Sequence, residues 1–373
     1  MAFKISPEKA FTFTKLSVFF TAIWPPNCND SSFKIKLANI FWIYSIISAM
    51  FLLIPMLASV LVYKDNPMIV SKSICLSCAV IQVIAKAIVC RHHQKKLQFL
   101  VKELTHFLKK AKKEERQLIE KYINRRAIFH MTFTLCCFGS SFFVICGPIF
   151  LPFSLPADAV YPFFVNSSPI WEIIYVHQAS VGIQASSGMC VDNLVAYILW
   201  YTGVRFESLY YKFKHIKDSK EMLQCIKEHQ YLLRYGKTVA DTFRYVIFTT
   251  VLSVTAGLAF AGIYLFSPQP IFVKGQFVIV SISVVVNLYV TALPSNNLIS
   301  MCHKVGDVVY ETLWVGDSPS IMKHWIFIIQ RCQKPVIIAI PGLIKELSLQ
   351  FYSSVLCSTF SYFSALHVIM TKE

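Results

Sequence analysis

The sequence predicts an all-α polytopic membrane protein with seven transmembrane helices, N-terminus cytosolic and C-terminus extracellular. Three observations predict it: a charge-poor apolar composition, seven apolar runs of membrane-crossing length, and basic residues crowded into alternate connecting segments. Of the 373 residues, 55% are hydrophobic and 15% charged, where a soluble domain carries about 25%. Mean hydropathy is +0.54, and 31 Phe and 17 Tyr add aromatic bulk that a water-soluble core of this size does not need. The net charge of +16 would suit a nucleic-acid partner. Its basic residues instead fall between apolar runs, where connecting segments meet anionic lipid. The expected surroundings are therefore membrane lipid and no nucleic acid.

A helical span needs roughly 17 to 25 mostly apolar residues. The runs lie at about 38 to 61, 69 to 90, 128 to 150, 173 to 201, 245 to 266, 272 to 292 and 350 to 370. In the second, Lys72 and Lys86 stand near the ends, where long side chains snorkel to the interface. The fourth is unusually polar, with Gln178, Gln184, Asp192 and Asn193. These runs divide the chain into an N-terminal cytosolic segment (1–37), helices one to six (38–292) with cytosolic helical extensions at 91–127 and 202–244, a further cytosolic segment (293–349) and a final helix with a short tail (350–373).

Charge sets the orientation. Segments 1–37, 91–127, 202–244 and 293–345 hold 5, 12, 9 and 5 Lys or Arg, which is 31 of the 36. The intervening segments hold almost none, so the positive-inside rule puts the N-terminus in the cytosol. A G-protein-coupled receptor has the opposite orientation. Asn166-Ser167-Ser168 then falls outside as a glycosylation acceptor, and Asn29-Asp30-Ser31 falls inside and stays bare.

The basic segments keep a helical period. Leu97, Leu100, Val101, Leu104, Phe107 and Leu108 recur on one face of 95–122, and Met222, Ile226, Leu233 and Val239 on one face of 217–244. Spans therefore continue into the cytosol as helices. The outer segment 147–169 has five Pro and no basic residue, the composition of a structured cap.

No phosphate-binding glycine loop, HExxH or GxSxG occurs, so no enzyme, metal or cofactor is expected. The Cys of the apolar runs, such as Cys75, Cys78, Cys136, Cys137 and Cys146, lack zinc spacing and read as small packing residues. No apolar core with a small-residue cleavage site marks a signal peptide in 1–37. His177 is either a hydrogen-bonded core residue or faces a cavity, and Asp192 with Asn193 forms either an interhelical cluster or a wet cavity.

Arg331-Cys332-Gln333-Lys334-Pro335, then Phe351, then Ser361-Tyr362-Phe363 with Leu366, resembles the C-terminal third of the insect odorant receptors. Trp24-Pro25-Pro26 is similar to their N-terminal pattern. Gln333, Lys334, Pro335, Tyr362 and Phe363 carry the motif. Pro341-Gly342 departs from the usual turn. Gustatory receptors carry Thr-Tyr and, five residues on, Gln-Phe, where this chain has Ser361-Tyr362 and Val368-Ile369. The short 202–244 segment is unlike the co-receptor's.

The resemblance implies a ligand-tuning subunit in the plasma membrane of sensory neurons, assembled with the odorant co-receptor as a cation channel opened by a small volatile ligand. It makes Ser320 to Arg331 a subunit anchor and the seventh span a pore helix. Gln350, Ser354, Ser358, Ser361 and Ala365 then form one polar or small stripe at helical spacing, flanked by Val355 and Leu356, which are placed to gate by dewetting. Close helix packing through Ser is the alternative. The ligand is expected among Phe142, Phe143, Tyr175, His177 and Ser180 near the outer ends of spans three and four. A gustatory-type channel, a G-protein-coupled receptor and a transporter are the competing classes. A transporter would show internal repeats, and none is evident.

Overall fold

The computed structural model describes residues 5–26, 30–150, 155–165, 167–216, 218–266, 271–311 and 318–370. The described residues form helices α1 (Pro7–Ser17), α2 (Ser32–Val62), α3 (Pro67–His92), α4 (Gln94–Lys110), α5 (Lys113–Ile145), α6 (Gly147–Phe150), α7 (Ile170–Met189), α8 (Val191–Lys214), α9 (Ser219–Phe266), α10 (Ile271–Glu311), α11 (Pro319–Cys332) and α12 (Leu349–Met370).

Local chemistry starts these helices where the sequence allows. Ser6, Ser31 and Asn66 accept the backbone N–H groups of Lys9, Lys34 and Met68 at the first turns of α1, α2 and α3. Pro67 and Pro319 open α3 and α11, where a missing N–H costs nothing.

Helices α2, α3, α5, α9 and α10 are long and apolar enough to cross a membrane. The protein is thus an all-α, multi-pass membrane protein. The fourth and seventh expected runs, on α7 with α8 and on α12, are helical but are not among those five. The fourth was expected as one helix over 173–201. It is two, because the chain turns at Cys190, where Asn193 N–H donates to the Cys190 carbonyl at 3.0 Å. The 95–122 helix is also divided. It stops at Lys110, and α5 restarts with the Lys112 N–H donating to Glu115 Oε2 at 3.2 Å.

α8 lies at the centre, with Leu194, Val195, Ile198, Leu199, Phe206 and Leu209 all buried. It runs along α10, while α3 runs along α9. Within lipid such helices cohere through close van der Waals packing and paired polar groups, and removal of apolar surface from water adds to this only in the extensions beyond the membrane. Toward the basic end, ion pairs bind the helical extensions together: Arg205 to Glu103 at 3.3 Å, and Lys212 to Glu228 at 2.9 Å. The basic segments are helical in pieces, as α4 with the start of α5 and as the end of α8 with the start of α9, and α9 alone has 48 residues.

The Gln333-Lys334-Pro335 element ends α11 and starts an extended strap. Arg331 Nη1 donates to the Lys334 carbonyl at 2.6 Å. The strap then reverses through Pro341-Gly342. Ile340 and Ile344 exchange backbone hydrogen bonds across it at 2.8 and 2.9 Å, and Gly342 takes a φ of +79°, a conformation that favours glycine. Val336, Ile338, Ile344 and Leu347 are buried beneath it, so the strap seats the start of α12. Burial pushes the Cys332 thiol up to about 12, as fits a packing residue.

Candidate ligand cavity and pore helix

A cavity of about 100 Å³ lies between α2, α3, α5, α7, α9 and α10. Leu52, Met56, Val80, Val181, Met189 and Val284 give it an apolar wall. Its hydroxyls are largely spent on helix carbonyls. Ser141 donates to Gly182 O at 2.8 Å, Ser186 to Cys137 O at 2.8 Å and Ser283 to Ile279 O at 2.9 Å. Its lining, apolar with hydroxyls already bonded, suits a small, weakly polar organic molecule better than an ion or a sugar.

The segment after residue 154 closes the cavity from above. Gln178 Oε1 accepts the Ala157 N–H at 2.8 Å, and its Nε2 donates to Tyr161 Oη at 3.2 Å. Lys72 pairs with Asp158 at 2.9 Å, and Val160 N–H donates to the Pro55 carbonyl at 3.0 Å. The structured cap inferred from the proline content is present in these residues.

A charged network underlies the cavity. Lys86 and Asp192 are both wholly buried and pair at 2.5 Å. Lys86 Nζ also donates to Gly188 O at 3.4 Å, Thr250 Oγ1 to Asp192 Oδ1 at 3.1 Å, and Gln82 Nε2 to Thr250 Oγ1 at 3.4 Å. This corrects the snorkelling expected of Lys72 and Lys86: both are buried and paired, because Asp158 and Asp192 lie within reach. Of the two readings of Asp192 and Asn193, the interhelical cluster is the one observed. Gly188 lets α7 approach α3 here, since a Cβ at that position would stand 2.3 Å from Val83 Cγ2.

The five residues expected to touch the ligand sit around this cavity and do not line it. Phe142 and Phe143 are 62% and 38% exposed on the far side of α5. Tyr175 Oη donates to Ile145 O at 2.7 Å. His177 Nε2 lies 3.2 Å from Ser48 Oγ, its ring edge-on to Phe51, and Ser180 Oγ donates to His177 O at 2.7 Å. The lining comes from their neighbours, Ser140, Ser141, Val144 and Ile145 on α5 and Gln178, Val181, Gly182 and Ala185 on α7. One residue turns a helix by about 100°, so a one-residue difference changes the face. The lining of α7 recurs at 178, 181, 182, 185 and 186, a helical period that marks that face in the sequence.

On α12, Gln350, Ser354, Ser358, Ser361 and Ala365 are all exposed, as one stripe. Ser354 and Ser361 bond back to Gln350 O and Cys357 O at 3.1 Å each. Val355, 8% exposed, is turned into the bundle, so of the two flanking residues Leu356 lies nearer the open face. The ring of Phe363 meets Gly262 of α9, where a Cβ would come within 2.6 Å. Tyr362 points outward. Asn166 falls outside the described residues, and so does its expected glycosylation.

Fold and cavity together define a multi-pass helical membrane protein with a small apolar cavity between its helices and one polar-faced, partly uncovered terminal helix. The chain belongs to the insect odorant receptor family: the family profile described as "7tm Odorant receptor" matches residues 66–360. It is similar to Odorant receptor 9a of Drosophila melanogaster, 21% identical over 343 residues that cover 84% of this chain and 85% of that one. Odorant receptor 13a of the same species is 20% identical, covering 97% of each. The fold resembles the insect olfactory receptor OR5 from Machilis hrabei, with a TM-score of 0.82, 14% identity and 95% and 97% of the two chains covered. The complex of that receptor with eugenol gives 0.77 and 16%, covering 96% and 98%. It is a receptor family and not an enzyme family.

Proposed function

We propose that this chain is a ligand-tuning subunit of an odorant-gated cation channel in the plasma membrane of sensory neurons, assembled with the odorant co-receptor. The cavity takes the volatile ligand, and α12 lines the pore. The observation that carries the reading is the pairing of an apolar cavity between the helices with a helix that keeps its whole polar stripe uncovered while burying Val355 and Thr359 on its other side. The OR5 complex with eugenol supports the ligand class.

The reading places seven spans on α2, α3, α5, α7 with the start of α8, α9, α10 and α12. The 31 inward basic residues support a cytosolic N-terminus. Residues 293–349, with α11, form the subunit anchor. Phe142, Phe143, Tyr175, His177 and Ser180 shape the ligand space from behind its wall. Gln350, Ser354, Ser358 and Ser361 face water, and Leu356 narrows the path.

The test is co-expression with an insect odorant co-receptor and recording against a broad volatile panel, each subunit alone serving as control. Current that needs both subunits and a ligand supports the reading; a ligand response with no current of its own in an excised patch refutes it. Cys357 is exposed beside the stripe, so a thiol reagent should reduce the evoked current, and Cys357→Ser should abolish that sensitivity.

A further inference from the structure

A second and larger cavity, of about 340 Å³, lies between α1, α4, α5 and α8, and shares no lining residue with the ligand cavity. Phe13, Leu104, Leu108, Ile119, Ile123 and Val204 make its wall apolar. The volume is at the lower end of the roughly 300 to 1,000 Å³ typical of small-molecule sites. Apolar space of that size is a poor home for water.

The polar groups at its edge are one-sided. Lys9, Arg126 and His130 line it, and no Asp or Glu does. His130 Nδ1 is engaged with Asn193 Oδ1 at 2.8 Å, and Tyr197 Oη donates to Pro7 O at 3.1 Å. Tyr122 Oη is taken up by Glu207. Arg126 differs. Its guanidinium stacks on Trp200, 3.4 Å from the ring centroid, with the Tyr122 ring at 5.1 Å, and among the described residues it has no ion-pair partner. A stacked guanidinium keeps its edge N–H groups free for a carboxylate.

The mouth lies between α1 and α5. Lys9 there is exposed and Arg126 half-buried, and Ile128, one half-turn on, is 63% exposed at the start of the apolar run of α5. Arg126 thus stands where polar and apolar surroundings meet, with the cavity behind it.

We infer that this cavity binds a fatty-acid anion, its chain between α1, α5 and α8 and its carboxylate on Arg126 and Lys9. The room suits one chain, and the two cations supply the complementary charge. The inference goes beyond the odorant reading and needs no current to be tested. The full chain, purified in non-ionic detergent, is titrated with cis-parinaric acid and separately with its methyl ester. Energy transfer from tryptophan separates bound probe from probe in micelles.

The acid should bind saturably, and loss of the charged contact should leave the ester about tenfold weaker. Ala127→Phe, which fills the mouth, should remove binding, and Gly182→Leu in the ligand cavity should leave it intact. Equal affinity for acid and ester would overturn the inference, and this comparison needs no variant to fold. So would loss through Gly182→Leu in place of Ala127→Phe. Displacement of the probe by phosphatidylglycerol at lower concentration than by oleate would overturn it in favour of a two-chain lipid.

Discussion

Two groups of polar side chains meet the apolar bundle in opposite ways. Around Asp192 of α8, every charge is withdrawn from the surface and paired, with Lys86 and Gln82 drawn from α3 and Thr250 from α9. Along α12, Ser354 and Ser361 remain exposed and are satisfied by their own helix. The first arrangement depends on its neighbours and holds them in place. The second depends on none, and leaves a face for water or for another subunit. Hydroxyl-rich helices therefore cannot be sorted by composition: the direction in which the polar groups face decides whether they hold the bundle or line its boundary.

The largest effect should come from breaking the paired group. Lys86→Met leaves a buried carboxylate with no counter-charge, still hydrogen-bonded by Thr250, and should cost about 3 to 5 kcal/mol, read as thermal unfolding of the purified chain. Adding Asp192→Leu should restore most of that loss; a double variant no better than the single would remove charge pairing from the account. Gly188→Ala drives a methyl into Val83 and should cost about 1 to 3 kcal/mol, eased by Val83→Ala.

Smaller still, and local, is Gln178→Leu, which strips the Ala157 N–H of its acceptor. About 1 to 3 kcal/mol of cap stability should be lost, seen as faster hydrogen exchange at 155–161 with little change elsewhere. The smallest is Ser361→Ala, expected within about 0.5 kcal/mol of the parent. Ser361→Leu should match it in stability yet lower single-channel conductance when co-expressed. Unchanged conductance would mean the stripe does not face the conducting water.

Much of this was legible in the sequence, for reasons of scale. Apolar runs and helical periods extend over many residues, so α2, α3, α5, α9 and α10, and the stripe on α12, could be read directly. The breaks at Lys110–Lys113 and Cys190 were not, because each is decided by a few local hydrogen bonds. Lys86 was misplaced because the Asp192 that pairs with it lies far along the chain, and burial of a charge depends on such a partner. The cavity eluded the sequence by a single helical step: Tyr175 and His177 face α5 and α2, while Gln178 and Val181 face the space between.

The length of α9 has a mechanical consequence. Its 48 residues extend roughly 72 Å at 1.5 Å per residue, more than twice a hydrocarbon thickness of about 30 Å. One uninterrupted rod thus touches Gln82 and the cavity through Thr250 and Ser253, meets Phe363 of α12 at Gly262, and meets the Val336 strap at Gly236. A small tilt at any one of these three points is a displacement at the other two, multiplied by the distance between them.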